Sequence, residues 1–363
     1  MKRRLWVWLK GWMGRLAIGG LWGWLVTAGV IFVLLRVIGE GNPLLGFLLF
    51  LPPAIWILPG LMLWGMVMVL RFRQGLVLGV LGAGVIWVGM GIQVRGVRAP
   101  KGASGREEGT LVVLTNNRGQ NGGHSLRPFK NWIEPDVMVF QESSARASHY
   151  LKDEGYGEFG HGLSVGEFTL VSRFPVLGGE LLEANGSGKA LPFGARFEVD
   201  WRGRRVAVYG VHLPSPRGPL LAMRGGAFLY GLPVPLEFWR RRREKESVFW
   251  DRQIGLAEAL LERLKGEKLP YVVAGDFNAP HLGYVHRLLE AVMTDAHEAG
   301  GSGLGFTFPG ETRNPLSFGQ PWLRLDHVFA GSTWEVEACW TEGEGRSQHR
   351  AVAAALRFRD GAE

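Results

Sequence analysis

Cysteine is almost missing from this sequence: Cys339 is the only one. An intramolecular disulfide is therefore excluded, and chemistry that runs through a pair of thiols goes with it. Acid is almost missing from the first 99 residues, where Glu40 stands alone against ten Lys and Arg. That stretch nets +9 of a chain total of +8, so the remaining residues net −1. A domain with no basic excess lacks the electrostatic footprint of a non-specific nucleic-acid binder. Charge of either sign is missing from Leu16–Leu35, Pro43–Leu70 and Leu76–Val94. Each run reaches the roughly 20 apolar residues that cross a hydrocarbon core as helix. Three in succession with no polar face argue for membrane spans rather than buried soluble helices. No internal repeat is visible.

These absences divide the chain. Residues 1–99 read as an anchor with transmembrane helices at about 16–35, 43–70 and 76–94, residues 100–109 as a linker, and residues 110–360 as a catalytic domain. Lys2, Arg3, Arg4, Lys10 and Arg15 precede the first run, and Arg71 and Arg73 separate the second from the third. Basic loops stay cytoplasmic, so the expectation is a multi-pass protein of the cell membrane with its catalytic domain outside the cytoplasm. No small-residue cleavage pattern follows the first run, and two more runs do, which argues against a cleaved signal peptide. Trp6, Trp8, Trp12, Trp22 and Trp24 read as interfacial anchors. The polar, glycine-rich stretch Lys101–Gly109 supplies the linker.

Past the linker the texture is mixed α/β. Short β-branched runs at Leu111–Leu114, Val137–Phe140, Phe168–Val171, Val206–Val211 and Tyr271–Ala274 are each bounded by turn residues, as strands are. Phe197–Asp200 and Arg205–Tyr209 flank Trp201-Arg202-Gly203-Arg204 as a hairpin, and Glu244–Leu264 carries apolar residues at helical spacing. One segment fits neither pattern. Pro214–Trp239 is rich in Pro, Gly, Leu and Phe and runs into Arg240-Arg241-Arg242-Arg243. It reads either as a long surface excursion with a solvated basic helix start, or as a membrane-facing loop with arginines near phosphate headgroups.

Polar residues recur where these apolar runs stop: Asn117, Glu142, His212, Asp276 with Asn278, Asp326, and finally Ser347-Gln348-His349. Strands of one sheet that end together bring their last side chains to a common rim. Carboxylate and amide oxygens there suit a hard divalent ion, imidazoles suit phosphoryl oxygens, and a carboxylate can orient water for in-line attack. Singly, each motif is weak. Gly275-Asp276-Phe277-Asn278 also fits an ordinary turn whose Asp and Asn cap backbone amides.

In order, these motifs resemble the endonuclease/exonuclease/phosphatase superfamily over nearly all of Leu111–Phe358, and Val171-Ser-Arg-Phe-Pro175 resembles a structural strand-turn of that family. The resemblance implies a four-layer α/β sandwich, two packed β-sheets flanked by helices, with a Mg²⁺ or Mn²⁺ site at one end. It implies Glu142 as principal metal ligand with Asn117 beside it, and His212 and Asn278 on the scissile phosphate. Asp276 would orient or deprotonate water, and Asp326 would fix the His349 ring. One position departs. The family has Ser-Asp-His at the last motif and this chain has Ser347-Gln348-His349, so Gln348 can accept a hydrogen bond there but brings no charge. The superfamily spans nucleases, inositol-phosphate phosphatases and sphingomyelin hydrolases. The expected activity is therefore hydrolysis of a phosphate or pyrophosphate ester at the cell envelope, possible on a lipid-linked substrate. Membrane lipids and the phosphate ester are the expected partners, and nucleic acid is the less favoured one. A membrane-tethered nuclease and a non-catalytic receptor with a degenerate site are the alternatives.

Overall fold

The computed structural model describes residues 2–95, 99–102, 105–119, 126–186, 189–343 and 347–359. Arg98, two residues of the expected linker (103 and 104) and the last residue of the expected catalytic domain (360) lie outside these.

The first hundred residues form helices α1 (Lys2–Val37), α2 (Pro43–Leu48), α3 (Ala54–Leu70) and α4 (Phe72–Gly89), then a short strand β1 (Gln93–Val94). The second charge-free run is not one span. Asn42 caps α2 by accepting from the Leu44 and Leu45 amides, with Pro43 in the first turn. Pro52 and Pro53 then keep the chain from continuing as one helix. What remains, α3, has 17 residues, about 25 Å of helix. By length and composition Leu5–Val37 and Phe72–Gly89 suffice to cross a membrane, and Ala54–Leu70 is shorter. The helices pack through Ala17, Leu21, Leu25, Val67 and Leu78, with Phe32 against Trp56 further along. Their outer faces stay apolar and bare: Met62, Val69, Val80 and Val88 are each more than 70% exposed. Trp24 is not an interfacial anchor. Its indole donates to the Trp56 carbonyl (3.1 Å) and lies against Gly60 inside the bundle.

Thirteen further strands build the rest: β2 (Thr110–Asn117), β3 (Val137–Gln141), β4 (His161–Val165), β5 (Phe168–Ser172), β6 (Val176–Gly186), β7 (Lys189–Trp201), β8 (Arg204–His212), β9 (Tyr271–Asp276), β10 (Thr294–Asp295), β11 (Ser302–Gly303), β12 (Asp326–Ala330), β13 (Trp334–Thr341) and β14 (Val352–Phe358). Two six-stranded mixed sheets result, in the orders β10-β12-β9-β8-β7-β6 and β13-β14-β2-β3-β5-β4. They face each other across Val113, Val139, Phe168, Phe197, Val208 and Val272. Helices α8 (Glu237–Lys265) and α9 (Tyr284–Glu290) cover one outer face through Leu256, Leu260 and Leu289, while α5 (Arg127–Ile133) and α6 (Ala147–Lys152) cover the other through Phe129, Ile133 and Tyr150. This is the four-layer sandwich expected. The hairpin also forms: Arg202 and Gly203 take left-handed backbone between β7 and β8, as a tight two-residue connection requires.

Two segments are more firmly docked than their composition suggests. Arg106, in the expected linker, is buried and pairs with Asp136 at 2.8 Å. The N-terminal helical region is likewise joined to the sandwich by polar contacts. Glu40 is fully buried and accepts from the amides of Tyr284 (2.6 Å) and Val285 (3.2 Å). Burial pushes its carboxyl up to about 7 despite these amides. Arg36 pairs with Glu290 at 2.8 Å, His281 bonds the Met90 carbonyl, and the Trp322 indole donates to the Phe50 carbonyl. Strand β1 pairs with β11.

Candidate active site

Sheet register assembles the rim. Asn117 lies opposite Gln141, where β2 and β3 end together, and His212 lies opposite Asp276 at the ends of β8 and β9. Asp326 begins β12, which runs antiparallel to β9, so it too lies opposite Asp276. Close approach of the two strands requires Gly275, since a Cβ there would meet the Val211 carbonyl at 2.0 Å. Glu142, one step past β3, and Asn278, two past Asp276, both take left-handed backbone (φ 50° and 47°). That conformation is unfavourable for a glutamate and tolerated by asparagine; in both cases it turns the side chain back over the strand ends.

Asp276 is the hub. Its Oδ1 accepts from the Asn278 amide at 2.9 Å, and its Oδ2 accepts from Asn117 Nδ2 (2.9 Å) and Asn278 Nδ2 (3.3 Å). Asn117 Nδ2 also reaches Glu142 Oε1 at 3.2 Å, while its Oδ1 takes the Gly119 amide. Asn117 thus holds two carboxylates together, and its oxygen is already partly engaged. Asn278 Nδ2 also donates to the Leu213 carbonyl, and the Asn278 backbone carbonyl accepts from Gln253 Nε2.

Two imidazoles flank this hub, each backed by a carboxylate. His349 Nδ1 bonds Asp326 (2.9 and 3.2 Å), leaving Nε2 3.7 Å from Asp276 Oδ2. His212 Nδ1 bonds Glu167 at 2.9 Å, leaving Nε2 3.7 Å from the same Asp276 oxygen and 4.0 Å from Glu142. Burial opposes the charged form of both rings. For His349 the charges of Asp326 and Asp276 win and raise it to about 9. For His212 the Glu167 hydrogen bond and Asp276 win and raise it above the ordinary histidine value. The Phe308 ring packs 4.7 Å from the His349 ring, centroid to centroid. Thr307 Oγ1 accepts from the amides of Leu325 and Asp326, setting the start of β12.

Asn117, Glu142, His212, Asp276, Asn278, Asp326 and His349 are therefore gathered in one place. Gln348 is not among them. Its side chain is exposed while its carbonyl accepts from the Gly310 amide. Two contributors escaped the sequence reading. Glu167 lies in the turn between β4 and β5, in no recognisable motif, and Thr307 serves the site by setting the start of β12.

A divalent ion fits this rim by the chemistry of its donors. Glu142, Glu167 and Asp276 all lie within 4.0 Å of His212, more negative charge than one imidazolium balances. Such oxygen-rich surroundings suit a hard cation. Asp276, Asp326 and His349 also lie close enough to share an ion. However, Asp326 already binds Nδ1 of a ring held protonated at neutral pH, which leaves the Glu142 side as the better place.

The sequence profile of the Endonuclease/Exonuclease/phosphatase family matches residues 103–349, more than half the chain. No curated protein matches the sequence. A family protein from Bacteroides thetaiotaomicron is 17% identical, with 70% of this chain and 100% of that one covered and a TM-score of 0.46. One from Beutenbergia cavernae is 19% identical over 69% and 72% of the two chains, at 0.46. The mannosyl-6-phosphatase Bt3783 of B. thetaiotaomicron is 19% identical over 68% and 100%, at 0.44. Members of the family are metal-dependent hydrolases of phosphoester bonds, and this chain belongs to the endonuclease/exonuclease/phosphatase family.

Proposed function

We propose that the chain is a membrane-anchored phosphoesterase that hydrolyses a phosphate or pyrophosphate ester at the cell envelope. One observation carries the reading: two carboxylate-backed imidazoles point their free nitrogens at one oxygen of Asp276, each 3.7 Å away. A cradle with two imidazole nitrogens around a carboxylate suits a phosphoryl group whose attacking water that carboxylate orients. Asp276 takes the proton of the water. His212, His349 and Asn278 hold the phosphoryl oxygens as charge grows on them, and Asp326 and Glu167 keep the two rings in place. Glu142, with Asn117 beside it, would hold Mg²⁺ or Mn²⁺, which when bound supplies Lewis-acid stabilisation of the phosphoryl oxygens.

The anchor reading is supported by the bare apolar faces of α1, α3 and α4. It is also supported by the place of Arg71, whose guanidinium reaches the Gly11 carbonyl. The α3–α4 turn thus shares one end of the bundle with the basic N-terminal stretch, the arrangement that a cytoplasmic N-terminus and an external catalytic domain need.

The test is substrate cleavage by the full chain in detergent micelles, read as loss of intact substrate, on a panel of lipid phosphates, soluble phosphate esters, single-stranded DNA and RNA. Metal-dependent turnover of a phosphate ester, abolished by chelator, is the expected result. Turnover confined to nucleic acid would favour the tethered nuclease. No turnover on any substrate with Mg²⁺ or Mn²⁺ would favour the receptor.

A further inference from the structure

The excursion that begins two residues past His212 has no part in the chemistry. It forms a compact knot: α7 (Arg217–Arg224), a 3-10 turn (Ala227–Gly231), and an extended stretch leading into α8. The Trp239 indole donates to the Leu229 carbonyl and its ring stacks edge-on to Tyr230 at 5.1 Å. Arg243 reaches the Leu232 carbonyl. The knot nevertheless leaves Leu221, Leu229, Leu232, Leu236 and Phe238 exposed, between 38% and 60% of each side chain's surface. A knot this small, with so many large apolar side chains outside it, is built to meet an apolar phase.

Its position says which phase. Asn42 Nδ2, at the cap of α2, donates to the Gly231 carbonyl at 2.9 Å, and a Cβ on Gly231 would meet the Leu44 amide at 2.4 Å. The knot is thereby pinned beside the end of α1. On the other side Leu220 joins the apolar cluster that runs from Phe32, Leu35 and Phe50 of the anchor region to Phe308, the ring packed on His349. Charge completes the picture. Residues 214–245 hold seven Lys and Arg against Glu237 and Glu244, in a domain that otherwise lacks basic excess. Arg240 and Arg241 share Glu237, and Arg242 lies over the Phe238 ring. Apolar tips beside arginines are the composition that seats at the boundary between headgroups and acyl chains.

We infer that Pro214–Arg243 is a bilayer-surface element: its leucines and Phe238 enter the headgroup boundary of an anionic phospholipid membrane and its arginines contact lipid phosphates. This rests on the reading of α1 as a membrane helix. The consequence is that the rim carrying His212 and His349 works at the membrane surface.

Cys339 is buried, so one introduced cysteine can be labelled selectively. The full chain is reconstituted in vesicles of phosphatidylcholine with phosphatidylglycerol, with a fluorophore at Leu236→Cys, Phe238→Cys, Val30→Cys on the outer face of α1, or Lys268→Cys. Lys268 precedes β9 at the end of the sheet away from the rim. Spin-labelled lipid and aqueous iodide are compared as quenchers. The expected result is lipid quenching and iodide protection at 236 and 238 as at 30, with the reverse at 268. If 30 is lipid-quenched while 236 and 238 behave like 268, the surface element is wrong and the anchor stands. If 30 is itself open to iodide, both fall. In vesicles of phosphatidylcholine alone, iodide protection at 236 should weaken, and the double variant Arg241→Gln, Arg242→Gln should weaken it similarly in the mixed vesicles. Equal protection in all three cases would overturn the assignment to an anionic surface.

Discussion

Strand β12 separates two buried charge clusters that look alike in composition and differ in purpose. In front of it Asp326, His349 and Asp276 meet; behind it Asp295, His286 and His327 meet, and either trio lies close enough for an ion. Behind the strand, Asp295 is saturated. Arg324 Nη1 lies 2.7 and 2.8 Å from its two oxygens, with His286 at 2.8 Å and His327 at 3.1 Å. Arg324 also reaches Glu298, and Arg36 reaches Glu290 from α1. Two guanidiniums thus supply the positive charge, and burial, only partly offset by Asp295, drives His327 down to about 4. In front, among the described residues, the partners of Asp276 are amides and two rings whose free nitrogens stop 3.7 Å short. A cluster closed by arginine joins the N-terminal helices to the sandwich, and the cluster left open to one side is the one we propose does the chemistry.

Breaking the rear cluster should have the largest effect. Arg324→Leu leaves Asp295 as a buried charge without its guanidinium partner, which should cost about 3–5 kcal/mol of stability. Denaturant unfolding in micelles measures it, and kcat of the folded fraction should change little. Loss of turnover without loss of stability would reverse the assignment of the two clusters. Asp326→Asn should do the opposite: stability roughly kept, and kcat at neutral pH down by about 10²-fold.

The pH profile sharpens this. His349 is raised from 6.5 to about 9. Its protonated form is therefore favoured by the fold, and the stability it contributes is full below 6.5 and lost as pH rises through 9. Rate should fall on the same alkaline limb, and in Asp326→Asn that limb should move to lower pH. A limb that does not move would mean that His349 is not the group titrating. A smaller effect is expected at Gln348. Gln348→Asp adds a charge at an exposed position beside His349, so it should lower the Mg²⁺ concentration for half-maximal rate by only a fewfold and leave Tm nearly unchanged.

The same contrast marks what the sequence disclosed. The front cluster was legible because its residues stop apolar runs: Leu111–Leu114 leads to Asn117, Val137–Phe140 to Glu142, Val206–Val211 to His212. Period and turn chemistry locate such strand ends from neighbours alone. The rear cluster joins Arg36, Glu290, Asp295 and Arg324 from four separate segments. Only tertiary packing brings those together, and a lone Glu40 between two apolar runs gives no sign of which amides it will cap. Glu167 escaped for the same reason, since Gly166-Glu167 reads as any polar turn until β5 sets it against His212. The break in the second apolar run was visible as Pro52-Pro53, but hydropathy averaged over it.

The most direct test of the open cluster is the Mg²⁺ dependence of phosphoester hydrolysis by the full chain and its Glu142→Gln variant, with melting temperatures taken alongside. The variant keeps the shape of Glu142 and one accepting oxygen for Asn117 Nδ2, and removes the charge. The account predicts no turnover in excess chelator, a kcat lower by about 10²–10³-fold in the variant, and an unchanged melting temperature without metal. Turnover that survives the chelator, or a variant as active as the parent, would contradict it.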